Sequence, residues 1–279
     1  MNLPSDFQFS QSNLQDFMDC QRRFQLRYIM NLKWPALQCE PVLDQEYYLE
    51  LGYRFHRFVH QHQMGIPSGK IMNQIKDPTL EIWWESYLES EMLKDLPSKR
   101  FPEITFSGTI AGSRLIAKLD LLVISQDSLI TIFDWKTSRR RTPRNIISKR
   151  MQTHLYPFLN VEAGQNITGG RKVTPEMVKM IYWFPNFPND PEIFEYDEDT
   201  YHEDHDVFLD MIEEIRSKSD DSFSLTRDEK MCRNCTYRSL CNRGIQAGKW
   251  HETDNAIDDF QLNLADSDFD FDQIGEIYF

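Results

Sequence analysis

The chain of 279 residues is 40% hydrophobic and 13% aromatic, which is enough apolar material for one large domain or two small ones. No apolar run approaches the roughly 18 residues that a membrane helix needs, and the first residues lack the basic and then apolar pattern of a secretion signal. These features exclude an integral membrane protein, and they predict a soluble protein of the cytoplasm that has no membrane partner.

The formal net charge of −13 is distributed unevenly along the chain. Nine Asp or Glu and no Lys or Arg lie between His251 and Phe279, which leaves 35 acidic and 31 basic residues in the rest. A local basic groove for nucleic acid is compatible with that balance. A solvated basic helix face is the alternative. The candidate cations are Lys136, Arg139, Arg140, Arg141, Arg144, Lys149 and Arg150.

Apolar residues at helical spacing predict helices in the first hundred residues, with Cys20 on the first helix and His56 in the middle of the second. Gly52, one turn before His56, would let another backbone approach that helix closely. A third helix begins with a proline after an N-cap aspartate, a pairing typical of helix starts. The predicted helices run over about 12–28, over about 44–63, and onward from Pro78 after the cap Asp77.

Between residues 101 and 136 the pattern changes to that of strands separated by turns, which predicts an antiparallel meander. A helix follows, with Thr142 as N-cap and Pro143 at its first position, and we expect Pro157 to kink or end it. The next buried strand completes the order strand, helix, strand, which favours a crossover unit. The predicted strands and last helix are strands at 104–106, 114–124, 130–136 and 178–184, an edge strand at 192–196, and a helix at 200–216.

Asp120 and Asp134 are the main candidates for a metal site. Each lies near the end of a predicted strand, and a hairpin would place the two carboxylates side by side. Lys136 projects to the same side as Asp134, because residues two apart in a strand face the same way. Two oxygen ligands beside a lysine suit a metal-dependent phosphodiesterase. A surface salt bridge is the alternative, although an unpaired carboxylate is costly to bury in so apolar a run.

Three further residues could complete this site. An imidazole such as that of His56 beside two aspartates would favour manganese over magnesium. Gln152 and Tyr156 lie one turn apart on the helix after Lys136, where they could contact a phosphate or a base. Each has an ordinary structural alternative: a local hydrogen bond for the histidine, and positions on an amphipathic helix for the other two.

Cys232, Cys235 and Cys241, with Cys20 far upstream, predict a metal site and not a set of disulfides, because the chain lacks a secretion signal. Four thiolates bind either zinc or an iron–sulfur cluster, and the spacing does not decide between the two. Either one would join the two ends of the chain by closing a very long loop. Cys39 has no partner nearby in sequence, so we expect it to be free.

Together these motifs resemble the RecB/AddB-type nucleases of the PD-(D/E)XK superfamily that carry an iron–sulfur cluster, a group that includes CRISPR-adaptation nucleases. The resemblance covers about residues 10–243. It departs from the family pattern at Gln21, where a proline commonly follows the first cysteine, and at Pro157, directly after the tyrosine. The matching motifs in chain order are Cys20, Gly52-x3-His56, Asp120, Asp134-Trp135-Lys136-Thr137, Gln152-x3-Tyr156, and Cys232, Cys235 and Cys241.

The resemblance implies an α/β restriction-endonuclease-like core, in which a mixed sheet is flanked by helices. The implied ligands of Mn²⁺ or Mg²⁺ are His56, Asp120, Asp134 and the Trp135 backbone carbonyl. The implied catalytic residues are Asp120, Asp134 and Lys136. The implied ligands of a [4Fe–4S] cluster, with zinc as the alternative, are Cys20, Cys232, Cys235 and Cys241. The implied DNA contacts are Gln152 and Tyr156, to which the basic segment adds Arg139, Arg140, Arg144, Lys149 and Arg150.

We therefore predict a metal-dependent DNA nuclease that acts as an exonuclease on single-stranded ends. Its expected setting is DNA repair, recombination or CRISPR adaptation, with a helicase or an adaptation complex as protein partner. One alternative is a non-catalytic DNA-binding or assembly module with a four-cysteine metal site. Another is a structural zinc protein in which the aspartates form only salt bridges.

The predicted nuclease domain spans residues 1–248, with a helical insert at about 65–100 and a cluster-binding segment at 228–243. Residues 249–279 are too acidic and too poor in core residues to be expected to fold. Their aromatic residues alternate with acids, which suggests a segment that folds back onto a basic groove or docks a partner.

Overall fold

The computed structural model describes residues 3–32, 43–233 and 235–244, without the side chains of residues 43–46. The predictions for Cys39 and for the acidic segment 249–279 lie outside the described residues. The helices are α1 Gln11–Asp19, α2 Gln21–Phe24, α3 Leu43–Gln63, α4 Ser68–Met72, α5 Pro78–Glu89, α6 Glu91–Lys94, α7 Arg144–Ile147, α8 Met151–Ala163 and α9 Glu198–Ser217. The strands are β1 Gln8–Ser10, β2 Arg100–Pro102, β3 Thr105–Ile110, β4 Ser113–Lys118, β5 Leu121–Ile124, β6 Ile130–Trp135, β7 Val178–Trp183 and β8 Glu192–Glu195.

The strands form two sheets. One has five strands in the order β2–β5–β6–β7–β8, and its parallel pair is β6 and β7. The other has three strands in the order β1–β4–β3, with β1 parallel to β4. This is the mixed α/β architecture that the sequence predicts, although the strands are divided between two sheets. None of the helices in the described ranges has the length and apolar character to cross a membrane.

The two sheets are joined by a bend at Asp120. The predicted strand 114–124 is interrupted there, and its two parts, β4 and β5, belong to different sheets. The segment between β2 and β3 is bonded to this bend: the Leu119 N–H donates to Ile104 O and the Glu103 N–H donates to Asp120 O, both at 2.9 Å. Glu103 has a φ of 51°, in the left-handed region that non-glycine residues rarely adopt. The bend therefore places Asp120 where the two sheets meet.

Both faces of the five-stranded sheet are covered. On one face, α3 and α5 pack against the sheet through large aromatic side chains that include Phe55, Trp83 and Trp183. On the other face, α8 and α9 cover a cluster that includes Ile132 and Met180. A strand between two layers is buried at every position, as β5 is, because neither of its faces meets water. Each fully buried aromatic or aliphatic side chain contributes about 1.5–3 kcal/mol to this packing.

The predicted starts of several elements are confirmed. Asp77 caps α5 by accepting from the N–H groups of Thr79 and Leu80, and Pro78 is the first helical residue. The helix predicted over about 44–63 is α3. The parallel pairing of β6 and β7, with α7 and α8 between them in the chain, confirms the crossover unit.

Two predicted helices are interrupted, which corrects the sequence analysis. Cys20 has an extended backbone (φ −163°, ψ 104°), so it lies at a break between α1 and α2 and not within a helix. The helix predicted after β6 consists of α7 and α8, and Pro143 is the N-cap of α7 instead of its first residue. Pro157 lies inside α8 and does not end it.

Candidate active site

His56 and Asp120 form a close pair that joins α3 to the bend between the sheets. The His56 Nδ1 atom is 3.2 Å from Asp120 Oδ1, and Asp120 Oδ2 accepts from the Trp135 N–H at 2.9 Å. Burial would lower the pKa of His56, but the Asp120 carboxylate outweighs burial and raises it. Burial would raise the pKa of Asp120, but His56 and the Trp135 N–H bring it below its ordinary value. Both shifts favour a charged imidazolium–carboxylate pair.

Asp134, Lys136 and Gln152 form a second group, which is buried. The Lys136 Nζ atom is 2.9 Å from Asp134 Oδ2 and donates to Gln152 Oε1 at 2.9 Å, while Gln152 Nε2 donates to Asp134 Oδ1 at 2.5 Å. Burial raises the pKa of Asp134 to about 6; the Lys136 charge opposes this increase and the Asp120 charge adds to it. Asp134, in β6, and Lys136, directly after it, thus project to the same side, as their spacing predicts, and Gln152 on α8 bonds to both.

The two groups interact electrostatically, since the charges of Asp120 and His56 both affect the pKa of Asp134. The Asp134 Oδ2 atom is buried, and apart from its ion pair with Lys136 it makes no hydrogen bond within the described residues. In residues 3–32, 43–233 and 235–244, no group of three or more His, Cys, Asp or Glu has the geometry to hold a metal ion. The donor set of an imidazole and two carboxylates, with a buried carboxylate oxygen, nevertheless fits Mn²⁺ or Mg²⁺ in its chemistry.

The site is open on one side and closed on the other. The side chains of His56 and Asp120 are 32% and 22% exposed, whereas those of Lys136 and Asp134 are 11% and 6% exposed. On the closed side, α8 contributes Gln152, and Tyr156 is buried in the main core. The DNA contacts predicted for Gln152 and Tyr156 stay predictions, and in this structure both side chains are buried.

Several cations of the predicted basic segment contact other parts of the protein. Arg141 and Arg144 pair with Glu192 of β8 at 2.6 and 2.7 Å. The Arg139 guanidinium lies 4.7 Å from the centre of the Tyr48 ring. Arg144 and Arg141 are therefore partly neutralised, and the role of this segment in DNA binding stays a prediction. The remaining basic residues differ in exposure, with Arg140 and Lys149 exposed and Arg150 half-buried.

Two residues were missed by sequence reasoning: Tyr182, which lies beside Lys136, and Gln15, which contacts the first residue of the helix that carries Gln152. The Lys136 Nζ atom lies 5.4 Å from the centre of the Tyr182 ring, and the Tyr182 hydroxyl is 2.7 Å from Thr153 Oγ1 of α8. The Gln15 Oε1 atom accepts from the Met151 N–H at 3.0 Å, at the start of α8. Tyr182 lies in an apolar strand, where its hydroxyl is the one sequence feature that could have indicated a polar contact. Nothing in the sequence around Gln15 indicates its contact with α8.

The four cysteines of the described residues are half-buried and free of disulfides. Burial raises the pKa of Cys235 to about 11, and Cys20 and Cys232 add to the increase, while the Tyr237 N–H and Arg23 oppose it. Burial also raises the pKa values of Cys232 and Cys241, and Cys20 again adds to both. The charge of Cys20 therefore acts on each of the other three thiols, although no three of these cysteines are arranged within the described residues so as to hold a metal ion.

The comparisons with known proteins identify a family. The sequence model described as the PD-(D/E)XK nuclease superfamily matches residues 8–242. Curated protein sequences gave no match. One similar solved structure is the crystal structure of SSO0001, which is 16% identical, has a TM-score of 0.41 and covers 84% of this chain and 85% of that chain. Another is described as a "Putative exonuclease" from Eubacterium rectale; it is 15% identical, has a TM-score of 0.47 and covers 81% of this chain and 85% of that chain.

Proposed function

Because the chain belongs to the PD-(D/E)XK nuclease superfamily, we propose that it is a metal-dependent deoxyribonuclease. One observation carries this proposal: the contacts among His56, Asp120, Asp134 and Lys136 join α3, the bend between the sheets and β6 at one place. An imidazole, two carboxylates and a lysine supply what phosphodiester hydrolysis with a divalent ion needs.

His56 in its neutral form, Asp120, Asp134 and the Trp135 carbonyl would hold Mn²⁺ or Mg²⁺. In this structure, the Asp120 carboxylate contacts His56 and the Asp134 carboxylate contacts Lys136 and Gln152. The bound ion would neutralise negative charge on the scissile phosphate. Lys136 orients the attacking water, because Asp134 and Gln152 fix its ammonium group from two sides. The water oxygen forms a bond to phosphorus while the bond to the leaving nucleoside oxygen breaks; solvent at the open side of the site takes the proton that the water loses and supplies one to the leaving oxygen.

The substrate that we propose is single-stranded DNA, degraded from its ends. The resemblance to RecB/AddB-type nucleases supports this choice, as does the open side of the site at His56 and Asp120, which gives a strand access. The same resemblance supports a role in DNA repair, recombination or CRISPR adaptation, with a helicase or an adaptation complex as partner.

We also propose that Cys20, Cys232, Cys235 and Cys241 hold a [4Fe–4S] cluster, with zinc as the alternative. The effect of Cys20 on the pKa values of the other three thiols supports this grouping. Arg22, Arg23 and Arg243 oppose the increase in the thiol pKa values that burial causes, although the net pKa values of Cys232, Cys235 and Cys241 stay raised. The Tyr237 N–H bonded to Cys235 would also stabilise a thiolate.

Lys136→Ala tests the proposed reaction. We expect the rate of cleavage of labelled single-stranded DNA in Mn²⁺ to fall by at least about 100-fold, because the water loses the group that orients it. Binding of the same DNA should change little. Lys172→Ala, which removes an exposed lysine elsewhere, is the control and should cleave like the wild type. Unchanged cleavage by Lys136→Ala would remove this lysine from the mechanism.

A further inference from the structure

We infer that Lys118 and His60 bind a backbone phosphate of the DNA strand beside the scissile bond, an inference that rests on the proposed nuclease function. Lys118 is the last residue of β4, two positions before Asp120. His60 lies one helical turn, about 5.4 Å, beyond His56 on α3, so both histidines project from the same side of that helix. Lys118 and His60 therefore border the His56–Asp120 pair.

Glu103 connects these two residues to the site. Its carboxylate contacts Lys118 Nζ through Oε2 at 2.7 Å and His60 Nδ1 through Oε1 at 3.8 Å. Its backbone N–H donates to Asp120 O at 2.9 Å, which fixes it beside the metal-ligand aspartate. Glu103 also has a φ of 51°, and non-glycine residues in this strained conformation are concentrated at functional sites. The bend that positions Asp120 thus positions the Lys118–Glu103–His60 cluster as well.

The exposure of the cluster suits contact with a strand. The side chains of Lys118 and Glu103 are each 31% exposed and that of His60 is 35% exposed, close to the 32% of His56. These residues therefore continue the open side of the site. DNA that reached Asp120 from solvent would pass over them, because α8 closes the opposite side with Gln152.

Charge points to the same ligand. An ammonium group has three donors, so Lys118 can donate to a phosphate oxygen while it keeps its contact with Glu103. Arg141 and Arg144 also pair with a glutamate, Glu192, but theirs lies on β8 at the edge of the five-stranded sheet. A phosphate next to the scissile one carries the negative charge that Lys118 matches, and an N–H of the His60 ring can donate a hydrogen bond to it.

The test is steady-state cleavage of labelled single-stranded DNA in Mn²⁺ at about 50 to 200 mM KCl. Lys118→Met keeps the aliphatic stem and should raise KM by roughly tenfold, because one charged hydrogen bond to phosphate is lost. Its kcat should stay within about twofold of the wild-type value. The slope of log(1/KM) against log[KCl] should become shallower by about one unit, because one phosphate contact is lost. His60→Gln should raise KM in the same direction. Lys118→Arg, which keeps the charge, should restore KM.

Lys172→Ala removes the same charge from an exposed loop and is the matched control, with KM expected to equal that of the wild type. An unchanged KM in Lys118→Met, or a loss of kcat at constant KM, would overturn the inference. A wild-type protein that cleaves no DNA would refute the proposed function instead. In that case fluorescence anisotropy with the same DNA still decides the inference, since equal affinities of the wild type and Lys118→Met would contradict it.

Discussion

Asp16 is a buried carboxylate that organises the segment around the first cysteine. It is 2% exposed and lies 2.8 Å from Arg23 Nε, 3.3 Å from Arg27 Nη1 and 3.1 Å from the Tyr28 hydroxyl. Arg23 in turn lies close enough to Cys235 for their charges to interact. The ion pair between Asp16 and Arg23 matters for stability because either charge alone would be costly to bury away from water.

Asp16→Ala should therefore destabilise the fold strongly. The change leaves the buried Arg23 without its main counter-charge, and we expect the free energy of unfolding in urea to fall by about 3 kcal/mol. Glu213→Ala, at an exposed position of α9, is the control and should change it by less than about 0.5 kcal/mol. Equal stability of the two variants would show that Asp16 contributes no more than a surface acid.

At the scale of elements, His154 links α8 to α9. Its Nδ1 atom lies 2.7 Å from Asp204 Oδ1, and its Nε2 donates to Ser148 O at 2.8 Å. Asp204 also accepts from the Tyr196 hydroxyl at 2.8 Å. Both ring nitrogens face acceptors, which suits the doubly protonated imidazolium. Burial lowers the pKa of His154, but the hydrogen bond and charge of Asp204 outweigh burial, and the net shift is upward.

The raised pKa predicts a loss of stability at high pH. A histidine whose pKa is higher in the folded state contributes fully below its ordinary value of about 6.5, and this contribution is lost as the pH rises through the raised folded value. We expect the free energy of unfolding of the wild type, relative to His154→Gln, to decline by about 1 kcal/mol across that range. His202→Gln, at an exposed position, should follow the wild type at every pH. A constant difference between the wild type and His154→Gln would contradict the assignment.

At the scale of the whole molecule, the two ends of the described chain are joined by direct contacts as well as by the proposed cluster. The Arg22 N–H donates to Ser224 O at 3.0 Å, and Phe24 and Phe223 stack at 6.4 Å. Gln21, the residue that departs from the family's proline, accepts from the Ser224 hydroxyl at 3.0 Å. These contacts hold together the segments that carry the cysteines. Gln21 therefore helps to join them, although the family commonly has proline at this position.

Cys20→Ser and Cys235→Ser test the proposed cluster. Each should abolish the brown colour and visible absorption of an anaerobic preparation, and lower the free energy of unfolding by about 3 kcal/mol, because the closed loop exceeds 200 residues. The double variant should be no less stable than either single variant, since one lost ligand already releases the cluster. A colourless wild-type protein that contains zinc would refute the iron–sulfur assignment, and additive losses would refute a shared site.

Local sequence determined the type and the start of most elements, and it selected the residues that meet in the site. Asp77 and Pro78 specify the start of α5 because capping depends on neighbours in the chain. The spacing of Asp134 and Lys136 specifies that both side chains project to the same side at the end of β6, because strand geometry repeats every two residues. The contact between His56 and Asp120, which are 64 residues apart, followed only from the resemblance to a known family.

The tertiary structure alone decided features that depend on partners distant in the chain. The break at Cys20 accompanies a backbone bond from Arg22 to Ser224, and the bend at Asp120 is paired with Glu103. The ion pairs of Arg141 depend on Glu192, about fifty residues away. Local pattern carries no record of such contacts, because periodicity and capping act within a few turns while ion pairs and sheet bends arise only when distant segments pack together.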